Sequence, residues 1–534
     1  METRLSAIWS DPITIGLYRK LTQLGFGIKV VSTSRIVYST LLIFFLTSLI
    51  CQAQQKKGKQ IELRNAEVLE YDETLGSKAK RLLGNVIFEH EGAMMYCDSA
   101  YLYQDNKMDA FSNVRLNKGD SIKLFCDELN YDGNTELAKA KRNVRLEDGK
   151  MTLKSQKLDY NMASEKAWYT TGGTIISSEN TLTSKIGYYY SQLEELFFKD
   201  SVKLENKQYT LYSDTLRYQT KTEVAFFLGP TTIISDENTI KCNYGWYDTE
   251  LDISRFSKDA TVFSSDQTIK GDSLYYNKKY SYGLALGNVE VADTSQDIVL
   301  KGQKAKYFEP GDMVMLTDSA VMIQSMGEDS LFLHADTLLS IIDTIIDRRI
   351  LFAYHHVKFF KTDMRGKCDS LVYSYADSTI RLFKDPILWS DENQLTADSM
   401  WIQNRNNVID RLYMKEKSMI ISEEDSALFN QIKGRWMTGY FKEQKLNKVF
   451  VEGNGETIYF TSEEGSKPEN VNQAKSSNLV IIIQKNKVQD ITFLNQPNAT
   501  LYPLDKVKLK DMKLDGFKWR IAERPEKVED IFEW

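Results

Sequence analysis

The chain has 534 residues, of which 42% are hydrophobic, 12% aromatic and 27% charged, with a formal net charge of −6. That balance is enough for a packed interior, and it argues against holding nucleic acid by bulk positive charge. The 29 Tyr and 25 Phe against 8 Pro fit a chain rich in strands.

In chain order the first feature is the run Ile36 to Ile50, fifteen apolar or small residues preceded by Lys29 and Arg35 and followed by Cys51-Gln52-Ala53-Gln54. Basic flank, apolar centre and small-residue exit make a secretory signal, and the run is short for a membrane-spanning helix. Cleavage is expected after Ala53. Ile50 is bulkier than the residue that usually precedes a lipid-modified cysteine, which disfavours that fate for Cys51. Residues 1–53 are therefore read as a signal peptide with an N-terminal prefix, and Met1 to Gly27 suggests a start codon assigned too early. Residues 54–60 read as a disordered linker. No later stretch reaches spanning length, so the mature chain is expected to be soluble and outside the cytoplasm.

From residue 61 a repeat governs the sequence. Cys126-Asp127-Glu128-Leu129-Asn130-Tyr131 returns as Cys97 to Leu102, Ser155 to Tyr160, Ser213 to Tyr218 and Gly271 to Tyr276, with weaker copies from Thr183, Cys242, Gly302, Ala335, Cys368 and Ala397. Successive copies start 28 to 33 residues apart, mostly 29, which marks a repeat array. Apolar residues two apart within each copy give strand periodicity. Some 13 to 16 residues earlier lies a second motif, clearest as Gly84-Asn85-Val86-Ile87-Phe88 and Gly287-Asn288-Val289-Glu290-Val291. It reads as a reversal followed by a half-buried strand. Each repeat is thus about two strands and two turns, and no Pro/Gly/Ser-rich linker divides residues 61–404. Residues 405–520 read as divergent β repeats ending in a cap, with a polar loop from Thr461 to Ser477. Residues 521–534 read as a charged tail.

Chemistry-bearing patterns are sparse. Cys97, Cys126, Cys242 and Cys368 all occupy the first slot of the six-residue motif, where Ser155, Thr183, Gly271 and Ala397 also occur, so they read as small apolar residues in equivalent niches rather than a metal or disulfide cluster. The adjacent pair His355-His356 sits in a strand-like run and is expected to point to opposite faces. The recurrent acids Asp98, Asp127, Asp214, Asp272, Asp369 and Asp398 stand one per repeat and read as caps at strand starts rather than a catalytic pair. No nucleophile elbow, zinc-protease helix or phosphate loop occurs. No catalytic residue, metal site or cofactor is expected.

The alternation of Gly-Asn-Val-x-apolar with Cys/Ala-Asp-x-Leu-x-Tyr, behind a secretory signal, resembles the OstA-like family of periplasmic lipopolysaccharide-transport proteins, to which LptA belongs. The likeness covers residues 61–404 and, more loosely, the remainder, and the ending Asp515-Gly516-Phe517-Lys518-Trp519-Arg520 is similar to that of long Bacteroidetes-type members. The resemblance implies an all-β fold, an elongated antiparallel β-jellyroll or β-taco, with acyl chains held in an apolar groove. It also implies a periplasmic bridge carrying lipopolysaccharide between the inner and outer membranes. Its partners would be Lpt-type components at both membranes and further copies of itself end to end. Association with the outer membrane is a further expectation.

The residues agree on where such a groove would lie. Val86, Phe88, Leu129, Tyr131, Val144, Leu146, Leu158, Tyr160, Val202, Leu204, Leu216, Tyr218, Leu274, Tyr276, Val289 and Val291 alternate in register and should form continuous apolar rows. Those rows fit a lipid-binding groove or the dry core of a structural or adhesive β-solenoid. A third reading, a carbohydrate-active enzyme, requires two acids in a cleft.

Overall fold

A computed structural model describes residues 60–71, 79–119, 122–265, 267–295, 297–309, 312–326, 329–343, 345–346, 348–405, 408–425, 427–443, 445–461, 467–484 and 487–534. The signal segment, the cleavage after Ala53 and all of the linker but Gln60 lie outside the described residues.

Ala79–His90, Ala93–Tyr103, Lys107–Lys118, Ile122–Asp132 and Leu137–Glu147 are strands of 11 or 12 residues, each antiparallel to the next in sequence. The same meander runs on to Asn498–Pro503, so the described residues contain 34 strands in one ladder. The fold is the expected antiparallel β-jellyroll, two strands to a repeat. Among the described residues no helix is long and apolar enough to cross a membrane.

What turns a flat ladder into a jellyroll is an interruption near the middle of each strand. Phe111 pairs with Glu128 and Val114 with Cys126, leaving Ser112 and Asn113 opposite the single residue Asp127. Two residues against one is a β-bulge, which bends the strand and increases its twist. Ser112 and Asn113 both take left-handed backbone, φ 62° and 51°. Gly84-Asn85 stands likewise opposite Asp98, and Asp200-Ser201 opposite Asp214. Left-handed backbone is tolerated best by Gly, Asn and Asp. At Gly287, φ 71°, a Cβ would also lie 2.3 Å from an Asp272 carboxylate oxygen.

Many of the bulges are tied by a side chain. Asn113 Nδ2 donates to Asp98 at 2.7 Å, Asn143 to Asp127 at 2.7 Å and Asn288 to Asp272 at 3.1 Å. Where the pair lacks Asn, a charge takes over: Lys185 meets Asp200 at 2.9 Å, and Arg435 meets Glu416 at 3.1 Å. The recurrent Gly-Asn and Asp are therefore mid-strand corners, and not the reversals and strand starts that the sequence suggested. Both roles call on left-handed residues and a nearby acceptor, and only continuation of the ladder on either side separates them. His355-His356 is a corner pair too, φ 61° and 52°. The two rings do not straddle a regular strand; both are exposed, with Nδ1 3.5 Å from Asp369 and 2.8 Å from Asp336.

The corners divide the ladder into two leaves that face one another. The first contains the half-strands 79–83, 99–103, 107–111 and 128–132; the second contains 86–90, 93–97, 114–118 and 122–126. Near the end, strand Asn470–Gln484 begins inside the stretch expected as a polar loop. Its first half alternates weakly because Val471 packs outward, beneath the end of the chain, while Ala474 and Ser476 are also buried.

After Pro503 the chain turns back along the outside of the second leaf. Gln431 accepts from Leu514 N at 2.8 Å and donates to Met512 O at 3.0 Å, while Gln394 accepts from Arg520 N at 2.6 Å and donates to Lys518 O at 2.7 Å. Glu523 pairs with Lys367 at 2.7 Å and Arg520 at 2.5 Å, the Phe532 ring lies 4.7 Å from His334, and Lys367 Nζ is 3.9 Å from the Trp534 ring. This strap covers a second apolar cluster, Met419, Ile421, Leu428, Ile458, Phe460 and Val471, with Leu514 inserted. Tail and leaf thus supply each other with the backbone and apolar partners that an exposed loop lacks.

Two outcomes follow. Asn143→Val places a β-branched residue at φ 49° and removes the bond to Asp127, a cost of about 1–3 kcal/mol. It should lower the denaturation midpoint clearly, whereas Asn143→Gly stays near wild type; equal effects would remove the corner argument. The Glu523 carboxyl is held down to about 2 by Arg520, with Lys367 assisting against the opposing effect of burial. A depressed carboxylate contributes stability above its ordinary value of 4.5, and that contribution fades as pH falls toward 2. Amide exchange of residues 512–532 should rise across that window, and Glu523→Gln should flatten the dependence.

Candidate functional site

The two sequence motifs sort onto the two leaves. Val86, Phe88, Val144, Leu146, Val202, Leu204, Val289 and Val291 lie on the second leaf, and Leu129, Tyr131, Leu158, Tyr160, Leu216, Tyr218, Leu274 and Tyr276 on the first. Fifteen of the sixteen join one continuous apolar cluster between the leaves. Tyr276 does not; it is partly buried at the rim, where its hydroxyl donates to Glu309 at 3.1 Å. Sequence reasoning missed the small partners of the large residues. Ala110 pairs with Leu129 and Ala140 with Leu158, all buried. Their alternation of small with large is a packing signal that was present in the sequence but lay outside both motifs.

Along the array the interior changes character. From residue 79 to 189 most inward positions are sealed, with Leu102, Met151 and Tyr189 partly buried at the rims: Phe88 and Leu158 are 0% exposed and Tyr131 is 2%. Polar contacts cross from leaf to leaf and close the mouth. His90 Nδ1 lies 2.7 Å from the Tyr131 hydroxyl, Tyr189 donates to Asp148 at 3.0 Å, and Lys118 reaches the carbonyl of Met162. Burial raises the Tyr131 and Tyr160 phenols above their ordinary value, so both stay neutral.

Between residues 202 and 269 the positions beside the corner remain buried, including Val202, Leu216, Phe227 and Ala260. One step toward the rims, Leu204, Tyr218, Ile233, Ile240, Tyr247, Val262 and Ile269 are only partly buried, whereas Leu211 and, past the section, Val291 and Leu300 are buried. This section is apolar, lined from both leaves and open from the rim side. Beyond it the rim closes again, with Tyr375 donating to the Met322 sulfur at 3.8 Å. A separate surface depression of 860 Å³ lies outside the second leaf among Tyr96, Arg115, Phe125 and Arg145, with Arg115 stacked 4.3 Å over Tyr96.

The cysteines sit in the interior. Cys97, Cys126, Cys242 and Cys368 are free and buried, and burial pushes the Cys97 and Cys126 thiols up to about 12. The strand carrying Val114 separates the first two, as antiparallel pairing requires. Among the described residues no group of three or more His, Cys, Asp or Glu is placed to hold a metal ion.

Comparison with known proteins places residues 58–214 in a match to the model of the OstA-like protein family. The likeness read from the repeat motifs therefore holds over those residues. No curated protein matches the chain. Among solved structures, the chain is similar to LptH from Pseudomonas aeruginosa, described as the LptA homologous periplasmic component of the conserved lipopolysaccharide transport device. Identity is 12% over 20% of this chain and 79% of that one, with a TM-score of 0.19.

The contrast along the interior can be measured. Leu158→Asp puts an unpaired charge in a sealed row and should cost about 4–5 kcal/mol or prevent folding, whereas Val262→Asp, within reach of the open rim, should cost about half as much. Lys157→Ser, on the outer side, should stay within about 0.5 kcal/mol. Equal losses at Leu158 and Val262, read by chemical denaturation, would show that the section is as dry as the rest. Alkylation should leave Cys97 and Cys126 unmodified in the native protein and modify both after unfolding without reductant; recovery of a linked pair would contradict the ladder.

Proposed function

We propose that the protein carries lipopolysaccharide between the inner and outer membranes as a periplasmic bridge, with acyl chains lying between the two leaves. The observation that carries this reading is the apolar section between residues 204 and 269, lined from both leaves and accessible from the rims. Hydrocarbon gains about 0.8 kcal/mol per methylene buried, so several acyl chains outweigh the unfavourable approach of an anionic headgroup to an acidic protein. The match of residues 58–214 to OstA-like proteins supports the same class. In this reading the protein has no catalytic role, and its partners are Lpt-type components at each membrane and copies of itself.

One observation favours the second reading, a structural or adhesive β-solenoid with a dry core, for the N-terminal part of the array. From residue 79 to 189 most of the rows are sealed and the rims are bonded across. Cargo there requires the His90–Tyr131 and Tyr189–Asp148 contacts to part. Photocrosslinking amino acids at Tyr218, Ile240 and Val262 test the proposal in cells. Lipopolysaccharide adducts are expected at these sites, fewer at Tyr131 and Leu158, and none at the outward residue Lys157. Adducts at Lys157 alone, or at no inward site, would remove the transport reading.

A further inference from the structure

The outer face of the first leaf carries a pattern that the interior does not explain. Between strands Lys166–Tyr169 and Gln267–Asn277 the outward residue at the centre of each half-strand pairs in register with the next. Trp168 pairs with Tyr188, Tyr188 with Phe197, Phe197 with Arg217 and Arg217 with Phe226. The row continues through Trp246 and Arg255 to Tyr275. Six of these eight positions are aromatic and two are arginine, in a chain that is 12% aromatic. Cross-strand aromatic pairs stabilise sheets, which accounts for some of the rings. It does not account for the absence of acids from the row or for the state of its cations.

Those cations are held over rings. Arg217 lies 4.3 Å over Phe226, and Lys166 Nζ is 5.5 Å from Trp168 and 4.9 Å from both Tyr188 and Tyr190. Arg255 donates to the Ser273 hydroxyl at 2.9 Å. Among the described residues none of the three forms an ion pair, although Lys203 and Lys270, past the corner on the second leaf, pair with Glu205 and Glu290. The eight residues are exposed or partly exposed, and no described segment packs over them as the C-terminal strap packs over the second leaf. Among the acids of this face, Asp159 pairs with Trp168 at the end of the row, and Glu195 and Asp248 lie in the flanking row toward the rim.

From this we infer that the outer face of the first leaf, from Trp168 to Tyr275, is a docking platform for an extended anionic polysaccharide lying along the array. Strands repeat at ~4.8 Å, roughly the length of one pyranose unit, so successive rings offer successive sugars a stacking surface. Arg217 and Arg255 present planar guanidinium groups to carboxylate, sulfate or phosphate substituents. Glu195 and Asp248 accept hydrogen bonds from sugar hydroxyls. A membrane surface fits less well, because interfacial binding needs an apolar face that sinks about 5–10 Å. The flanking rows here are mixed, with Leu228 and Tyr244 among Thr215, Gln219, Ser257 and the charged Lys199, Glu195 and Asp248. A second copy stacked face to face would set arginine against arginine. The inference is independent of what occupies the interior.

Affinity electrophoresis of the full chain tests it, in gels containing alginate, dextran sulfate or neutral dextran. Retardation by at least one of the two polyanions and not by neutral dextran is expected. Trp168→Ala with Trp246→Ala, and separately Arg217→Gln with Arg255→Gln, should weaken it tenfold or more, while Trp401→Ala on the same leaf leaves it unchanged. If the ring variants fail to fold, judged by far-UV circular dichroism, Gln219→Glu with Ser257→Glu adds repulsion without touching a ring and should weaken retention similarly. No retardation by either polyanion, or wild-type retention by the folded variants, overturns the proposal. So does tighter binding of a 20-mer of dT or of phosphatidylglycerol vesicles with the same dependence on Trp168 and Trp246.

Discussion

Two consecutive left-handed residues opposite a single residue on the neighbouring strand are the constraint on which the rest of this structure depends. An uninterrupted meander of 11-residue strands would make a flat or gently twisted sheet with one face always in water. Bending each strand at its middle folds that sheet onto itself, so that inward residues on both halves find partners. The corner carries a cost, because non-glycine residues resist left-handed backbone. The sequence meets it with Asn, Asp, Ser and Gly, and with an Asn amide donated to an Asp carboxylate at 2.7 Å in the best copies. Because the corners stack strand over strand, each tie positions its neighbours, which is why the repeat is stricter at Asp98, Asp127 and Asp272 than in the loops.

Given that frame, the width of the interior is set by what lies further from the corner. Near it buried residues such as Val114, Val144, Leu216 and Phe227 join the core between the leaves. Toward the rims the outcome depends on whether side chains bridge, as His90 and Tyr131 do, or end in water, as Tyr276 and Glu309 do. A single repeat can therefore give a sealed core in one part of the array and an accessible apolar section in another, without a change of backbone topology. Transport along such an interior needs the first kind to behave at times like the second, and the bonds that would have to part are few and polar.

The two outer faces are unequal as well. Toward the C-terminus the second leaf is apolar outside as well as inside, and residues 504–534 lie on it through Gln394, Gln431 and a ring of charged contacts. Among the described residues the first leaf has no such cover, and it shows water an aromatic row punctuated by arginine. An array that buries one outer face and presents the other is oriented, with a back and a front, a property that a symmetric β-solenoid lacks.

Period, strand alternation and the division into inward and outward residues were legible in the sequence, because each depends on neighbours within about thirty residues. Fifteen of the sixteen residues read as inward do meet in one cluster, since parity along a strand fixes side. The corners were visible as motifs but were read as reversals and caps, because Gly, Asn and Asp serve either use, and only the partner strand shows that the ladder continues. The sealed and open sections were not legible at all: Tyr131 and Tyr276 occupy the same slot, and their difference is decided by His90 in one case and Glu309 in the other. Nor was the strap, whose glutamines are ordinary outward residues until a tail more than eighty positions later lies across them. Local pattern determined which side each residue faces; contacts between leaves and between distant segments determined what each side meets.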